Sequence, residues 1–201
     1  MFMNLQDEYQ RRVSIIKTRL NEFSKISKDD YFYEACFCIL TPQSSAKQAW
    51  KSILSLKEND FKNKDINPVI YLNNKIRFHN NKAKYLLELK SKWEDINEKL
   101  NSIKDSFKLR EFLVKNVKGY GYKEASHFLR NIGHRELAIL DRHILKNLHE
   151  NNVINEIPLT LTQKNYFEIE NKFKDFSSKL NIPLDELDLL FWSLETGEVF
   201  K

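Results

Sequence analysis

Apolar residues return at every third or fourth position over the first two dozen residues of the chain. Leu5, Tyr9, Val13, Ile16, Leu20 and Phe23 make one stripe, which predicts an amphipathic helix over about 5–23. The polar stretch 27–30 interrupts it and carries good N-cap residues. Tyr31–Leu40 is apolar on nearly every side, the pattern of a helix buried at the centre. Thr41-Pro42 ends it, because proline disfavours helical backbone at the residue before it. Ser44 or Ser45 is placed to cap the next helix, which runs up to Leu56.

Residues 57–67 are charged and weakly periodic, and 68–72 reads as a short helix. Asn80 or Asn81 starts a helix carrying Ala83, Leu86, Leu87 and Lys90 and ending beyond Trp93. Two further helices are predicted over 107–114 and 122–132, with Gly133 suited to the left-handed position after the second. The apolar run 137–140 leads to Asp141, which can cap a helix through Leu148. After a linker over 151–158, Thr162 caps a helix over 163–180. Pro183 then fits the first turn of a last helix, whose apolar side is Leu184, Leu187, Leu190 and Phe191. No strand pair is visible, so the expected fold class is all-α.

A chain of 201 residues holds one large domain or two small ones. Four glycines and four prolines leave little room for a many-turned β architecture. The net charge of +5 suits a polyanion partner, although a general abundance of Lys, Asn and Ile accounts for part of it. The two cysteines, Cys36 and Cys38, are too few for a four-cysteine zinc or iron–sulfur site. They read as small buried hydrophobes, and their scarcity suits a reducing cytosol. No stretch approaches the length of a membrane span, and residues 1–10 have no apolar signal core, so no membrane association and a cytoplasmic location are expected.

Glycine placement narrows the function. Gly119, Gly121 and Gly133, three of the four glycines, fall within fifteen residues. Gly-Tyr-Gly between two helical stretches describes a tight hairpin whose amides meet the start of the second helix, a place that binds phosphate. Lys123 lies two residues beyond Gly121. It reads either as one more phosphate contact or as a nucleophilic amine, with Lys118 and Arg142 as cations favouring the neutral form. Asp141 reads as a plain N-cap, as a carboxylate stabilising positive charge on a substrate, or as both. His127 and His143 read as structural, His134 and His149 as surface residues, and no histidine–carboxylate grouping has metal spacing.

Val117-Lys118-Gly119-Tyr120-Gly121-Tyr122-Lys123-Glu124-Ala125-Ser126-His127-Phe128-Leu129, followed by Ala138-Ile139-Leu140-Asp141-Arg142-His143, resembles the helix-hairpin-helix DNA glycosylase superfamily. More narrowly it is similar to the archaeal-type, second class of 8-oxoguanine DNA glycosylase/lyase. Leu40–Ser45, Ile76–Ala83 and the segment from Trp192 to Lys201 resemble further parts of that family. The family's common proline before the first glycine is Lys118 here.

The resemblance implies a two-lobed fold with a groove, one lobe from 1–30 with 151–201 and the other from 31–150 carrying the hairpin at about 107–132. It implies Lys123 as Schiff-base nucleophile, Asp141 as catalytic carboxylate and Lys201 as the discriminator of 8-oxoguanine from guanine. Trp192, Phe78 and His79 are then expected to face the extruded base. Gln43 is expected to probe the gap in the duplex, and Lys82, Lys118, Gly119 and Gly121 to contact the DNA backbone. The implied partner is double-stranded DNA containing 8-oxoguanine, acted on by a monomer associated with the nucleoid. No metal or organic cofactor is implied, apart from a structural monovalent cation at the hairpin. A glycosylase for another damaged base and a non-enzymatic DNA-binding module stay open as alternatives.

Overall fold

The computed structural model describes residues 5–201. All regular structure among them is helical: α1 (Leu5–Ser24), α2 (Tyr31–Leu40), α3 (Ala46–Glu58), α4 (Val69–Leu72), α5 (His79–Ser91), α6 (Trp93–Ser102), α7 (Ser106–Asn116), α8 (Tyr122–Asn131), α9 (Arg142–Glu150), α10 (Gln163–Leu180) and α11 (Leu184–Thr196), with a 3-10 turn at Lys28–Asp30. None of these helices is long and apolar enough to cross a membrane.

The chain forms two compact units, one from residues up to 25 together with 129–201 and one from 26–128. The resemblance implies 1–30 with 151–201 and, separately, 31–150; the compact units instead group 129–150 with the first and 26–30 with the second. The reason lies in the apolar run 137–140, which is buried and tied to α10. Tyr166 donates its hydroxyl to the Ala138 carbonyl at 2.6 Å, and the Ala138 N–H donates to Glu170 at 2.9 Å. Those bonds satisfy backbone groups that a buried extended segment would otherwise leave unpaired.

In the unit of 26–128 the core is α2. Every residue from Phe32 to Leu40 is buried, Cys36 and Cys38 included. Burial and the neighbouring Cys38 raise the Cys36 thiol well above its ordinary pKa, so it stays a neutral core group. Phe32 meets Trp93 edge-on at 5.3 Å and Phe61 at 5.9 Å. In the other unit α1, α9, α10 and α11 pack together, and Phe173 stacks on Phe191 at 5.9 Å. The α1 stripe is buried at Leu5, Tyr9, Ile16, Leu20 and Phe23, while Val13 is half-buried. Gly133, at φ +97°, lies where a Cβ would come 3.1 Å from the Ser24 Cα, so both conformation and space require glycine.

One predicted helix divides. Instead of running past Trp93, α5 stops at Ser91 and α6 starts at Trp93, with Lys92 between them at φ −103°, ψ 3°. Trp93 and Ile96 are both buried in the new direction.

Candidate active site

The hairpin joins α7 to α8. Asp105 caps α7, accepting from the Phe107 and Lys108 N–H groups, both at 2.9 Å. Val117 leaves the helix in an extended conformation and Gly119 turns at φ +89°. The Tyr120 N–H closes the turn onto the Val117 carbonyl at 3.1 Å. The Tyr120 ring is buried against Phe128, and its hydroxyl donates to the Ala35 carbonyl at 2.9 Å, which pins the turn to the core helix α2. A Cβ on Gly119 would lie 2.7 Å from the Tyr85 ring, so that glycine lets α5 approach the turn. Between the two helices, buried Arg110 donates to Ser126 at 3.1 Å and Tyr122 donates to Glu111 at 3.0 Å.

Lys123 stands in the first turn of α8, with 23% of its side chain exposed, and its Nζ lies 3.0 Å from Glu124 Oε1. The other Glu124 oxygen accepts the Gly121 N–H at 3.0 Å. The hairpin amide expected to meet a phosphate therefore already holds an anion, the protein's own. Sequence reasoning passed over Glu124, although a carboxylate three residues after a helix N-cap is the capping-box spacing.

Lys82, expected at the DNA backbone, is only 5% exposed, and its ammonium donates to the Leu40 carbonyl (2.8 Å), the Pro42 carbonyl (2.6 Å) and Ser44 Oγ (3.1 Å). Burial, with the like charge of Lys123 second, pushes its pKa down to about 8, and Glu124 opposes the shift. Lys82 thus binds α5 to the end of α2 and adds positive charge behind Lys123. A lysine amid a helical polar face carries no sequence signal of such a role.

Lys82 also holds the 41–45 loop, which presents Gln43 exposed at φ +54°. Ser44 Oγ accepts a second bond, from the Arg77 N–H at 3.1 Å. Next to Arg77 stands Phe78, 51% exposed and at φ +57°, with the Arg77 guanidinium 5.0 Å from its ring. Two non-glycine residues in left-handed conformations are therefore braced by one serine. Strain of this kind is concentrated at functional sites. His79 begins α5 half-buried, and Lys118 is exposed.

The remaining expected residues belong to the other unit. Asp141 caps α9 through a single oxygen, Oδ1, which accepts the His143 N–H at 2.8 Å and the Ile144 N–H at 2.9 Å. Behind it Asp188 is paired with Arg130 at 3.0 Å. Burial outweighs that guanidinium and raises the Asp188 carboxyl to about 7, with the charges of Asp141 and Asp185 adding to the rise. Arg130 also covers the Phe23 ring at 5.1 Å and donates to Asn131 at 3.2 Å. At the end of α11, Gly197 turns at φ +83° and folds the tail back, so that Phe200 stacks on half-buried Trp192 at 6.4 Å and brings the adjacent Lys201 to the same helix end. Among the described residues there is no group of three or more histidines, cysteines or carboxylates able to hold a metal ion.

The chain is similar to known proteins over its whole length. A protein from Fusobacterium nucleatum named 8-oxoguanine DNA glycosylase/AP lyase is 46% identical, the match covering 100% of this chain and 97% of that one. One of the same name from Methanocaldococcus jannaschii is 42% identical, over 93% and 92%. The crystal structure of the M. jannaschii 8-oxoguanine glycosylase/lyase in complex with a 15mer DNA containing 8-oxoguanine superposes with a TM-score of 0.89 at 38% identity, covering 99% of this chain and all of that one. The 8-oxoguanine DNA glycosylase of Thermotoga maritima gives 0.88 at 30% identity, over 98% and 96%. The family model for 8-oxoguanine DNA glycosylase matches residues 16–182, and with that the all-helical architecture and the hairpin have their place: this chain belongs to the 8-oxoguanine DNA glycosylase family.

Proposed function

We propose that the protein excises 8-oxoguanine from double-stranded DNA and nicks the resulting abasic strand through a lysine Schiff base. The observation that carries the reading is Lys123 at the head of α8, beside the Gly119–Gly121 hairpin, in a chain whose relatives are named 8-oxoguanine DNA glycosylase/AP lyase. The hairpin amides and Lys118 take the DNA backbone, which fixes register without reading bases. The damaged nucleotide leaves the stack at a cost of a few kcal/mol.

The chemistry follows from one amine and one carboxylate. Neutral Lys123 Nζ attacks the sugar C1′. The bond from C1′ to the base breaks, and the base leaves with the electron pair and takes up a proton. Asp141 stabilises the positive charge growing at the sugar, with its Oδ1 held by two backbone N–H groups. The attached nitrogen gives up one proton, and ring opening with uptake of a proton at O4′ gives the protonated Schiff base. Removal of a C2′ proton then expels the 3′ phosphate. The amine supplies the covalent step, so neither a metal nor an organic cofactor is needed for it.

Trp192, Phe78 and His79 are assigned to the extruded base, Gln43 to the gap it leaves, and Lys201 to telling 8-oxoguanine from guanine. The protein works as a monomer on nucleoid DNA in the cytoplasm.

The test is a comparison of duplexes that differ only in one lesion. Release of 8-oxoguanine faster than of oxidised pyrimidines or alkylated purines, by about tenfold or more, supports the assignment. Preference for another lesion would transfer the same chemistry to a different base. Binding without release of any base would leave a DNA-binding module.

A further inference from the structure

We propose that Glu124 is a positioning residue that occupies, in the free protein, the place of a DNA phosphate at the hairpin, and that an arriving phosphate displaces it and frees Lys123. The proposal rests on the glycosylase/lyase reading above.

One carboxylate, with 13% of its side chain exposed, makes both contacts: Oε2 accepts the Gly121 N–H and Oε1 meets Lys123 Nζ, each at 3.0 Å. The first is the ordinary return bond of a capping box. The second is not part of that motif, and it joins the backbone end that favours phosphate to the candidate nucleophile. The Gly121 N–H is a single donor, so a phosphate oxygen and the carboxylate compete for it.

The other groups around this corner are known. From α5 come Lys82 and the Tyr85 ring over Gly119. From α7 comes Glu111, engaged by the Tyr122 hydroxyl. Lys118 in the turn acts electrostatically on Glu88. Among the described residues the Lys82 ammonium donates to neutral oxygens, those of Leu40, Pro42 and Ser44. Glu124 in place balances the charges of both lysines. With Glu124 displaced, Lys123 Nζ loses the carboxylate that holds it 3.0 Å away and is free to turn toward C1′. Its proton passes to water and its lone pair becomes available to C1′. DNA binding and nucleophile activation become one event.

The experiment uses the full chain and two duplexes, one with an abasic site and one with a non-cleavable tetrahydrofuran analogue. Borohydride trapping on the first is followed against pH, and affinity for the second is measured, for the wild type and Glu124→Gln. The amide oxygen of glutamine still accepts the Gly121 N–H, so the helix start is kept while the charge is lost. Below the pH at which wild-type trapping is half-maximal the variant should trap several-fold faster, and the tetrahydrofuran duplex should bind several-fold tighter. Glu124→Asp should restore the wild-type pH profile. A Glu124→Gln profile that overlays the wild type, or is scaled down equally at every pH with unchanged affinity, would show a helix cap and nothing more. Failure of the wild type to trap at all would overturn the glycosylase/lyase reading itself, and the affinity measurement would still decide the phosphate competition.

Discussion

At the start of α9 the candidate carboxylate closes the helix itself, Asp141 accepting from the His143 and Ile144 N–H groups. At the start of α8 the closing carboxylate is Glu124, and the candidate nucleophile Lys123 is attached to it by an ion pair. Both use the same physics, a helix N-terminus attracting negative charge. They differ in what has to change before reaction. Asp141 spends only Oδ1 on its cap and is fixed in position. Lys123 has to give up a partner. The first arrangement is preorganised and the second is switched, which matches their tasks: a stabilising charge is needed throughout, a bare amine only once DNA is bound.

Substitutions at the two helix starts separate these roles. Asp141→Asn keeps a good N-cap, so stability should change by less than about 0.5 kcal/mol, while base release should fall by about 10²–10³. Asp141→Ala should show the same loss of release with roughly 1 kcal/mol of added destabilisation in chemical denaturation. Equal activity in the asparagine variant and the wild type would reduce Asp141 to a cap. At α8 the effect of Gly119→Ala is smaller and structural. A Cβ there meets the Tyr85 ring at 2.7 Å on a backbone at φ +89°, so unfolding should become easier by about 2 kcal/mol. Lys123 would keep its place in sequence but lose its register. A Gly119→Ala variant as stable as the wild type would mean that the close approach of α5 to the turn is not maintained in solution.

Much of this is legible in the sequence. The stripe of α1, the all-round apolar run of α2 with Pro42 after it, and the Thr162 cap of α10 place these three helices within a residue or two. The hairpin was legible because glycine is scarce in the chain and Gly119 takes a conformation other residues avoid. The break at Lys92 was not, since no glycine or proline marks it and burial of Trp93 and Ile96 decides it. Nor were the left-handed Gln43 and Phe78, which tertiary bonds through Ser44 hold in place. The burial of Lys82 is not legible for a related reason: its carbonyl acceptors, Leu40 and Pro42, are some forty positions away. Contacts between residues distant in sequence leave no trace in local pattern. Glu124 was readable from its spacing as a cap, but not as the partner of Lys123.

The central claim is that the amine of Lys123 forms the covalent bond to DNA. It is tested most directly by trapping the full-length protein on a duplex with borohydride, digesting the product and locating the modified residue by mass spectrometry. The account predicts the adduct on Lys123, and no adduct for Lys123→Gln with DNA affinity kept within a few-fold. An adduct on another lysine or on the N-terminal amine, or none on wild-type protein that releases the base, would contradict it.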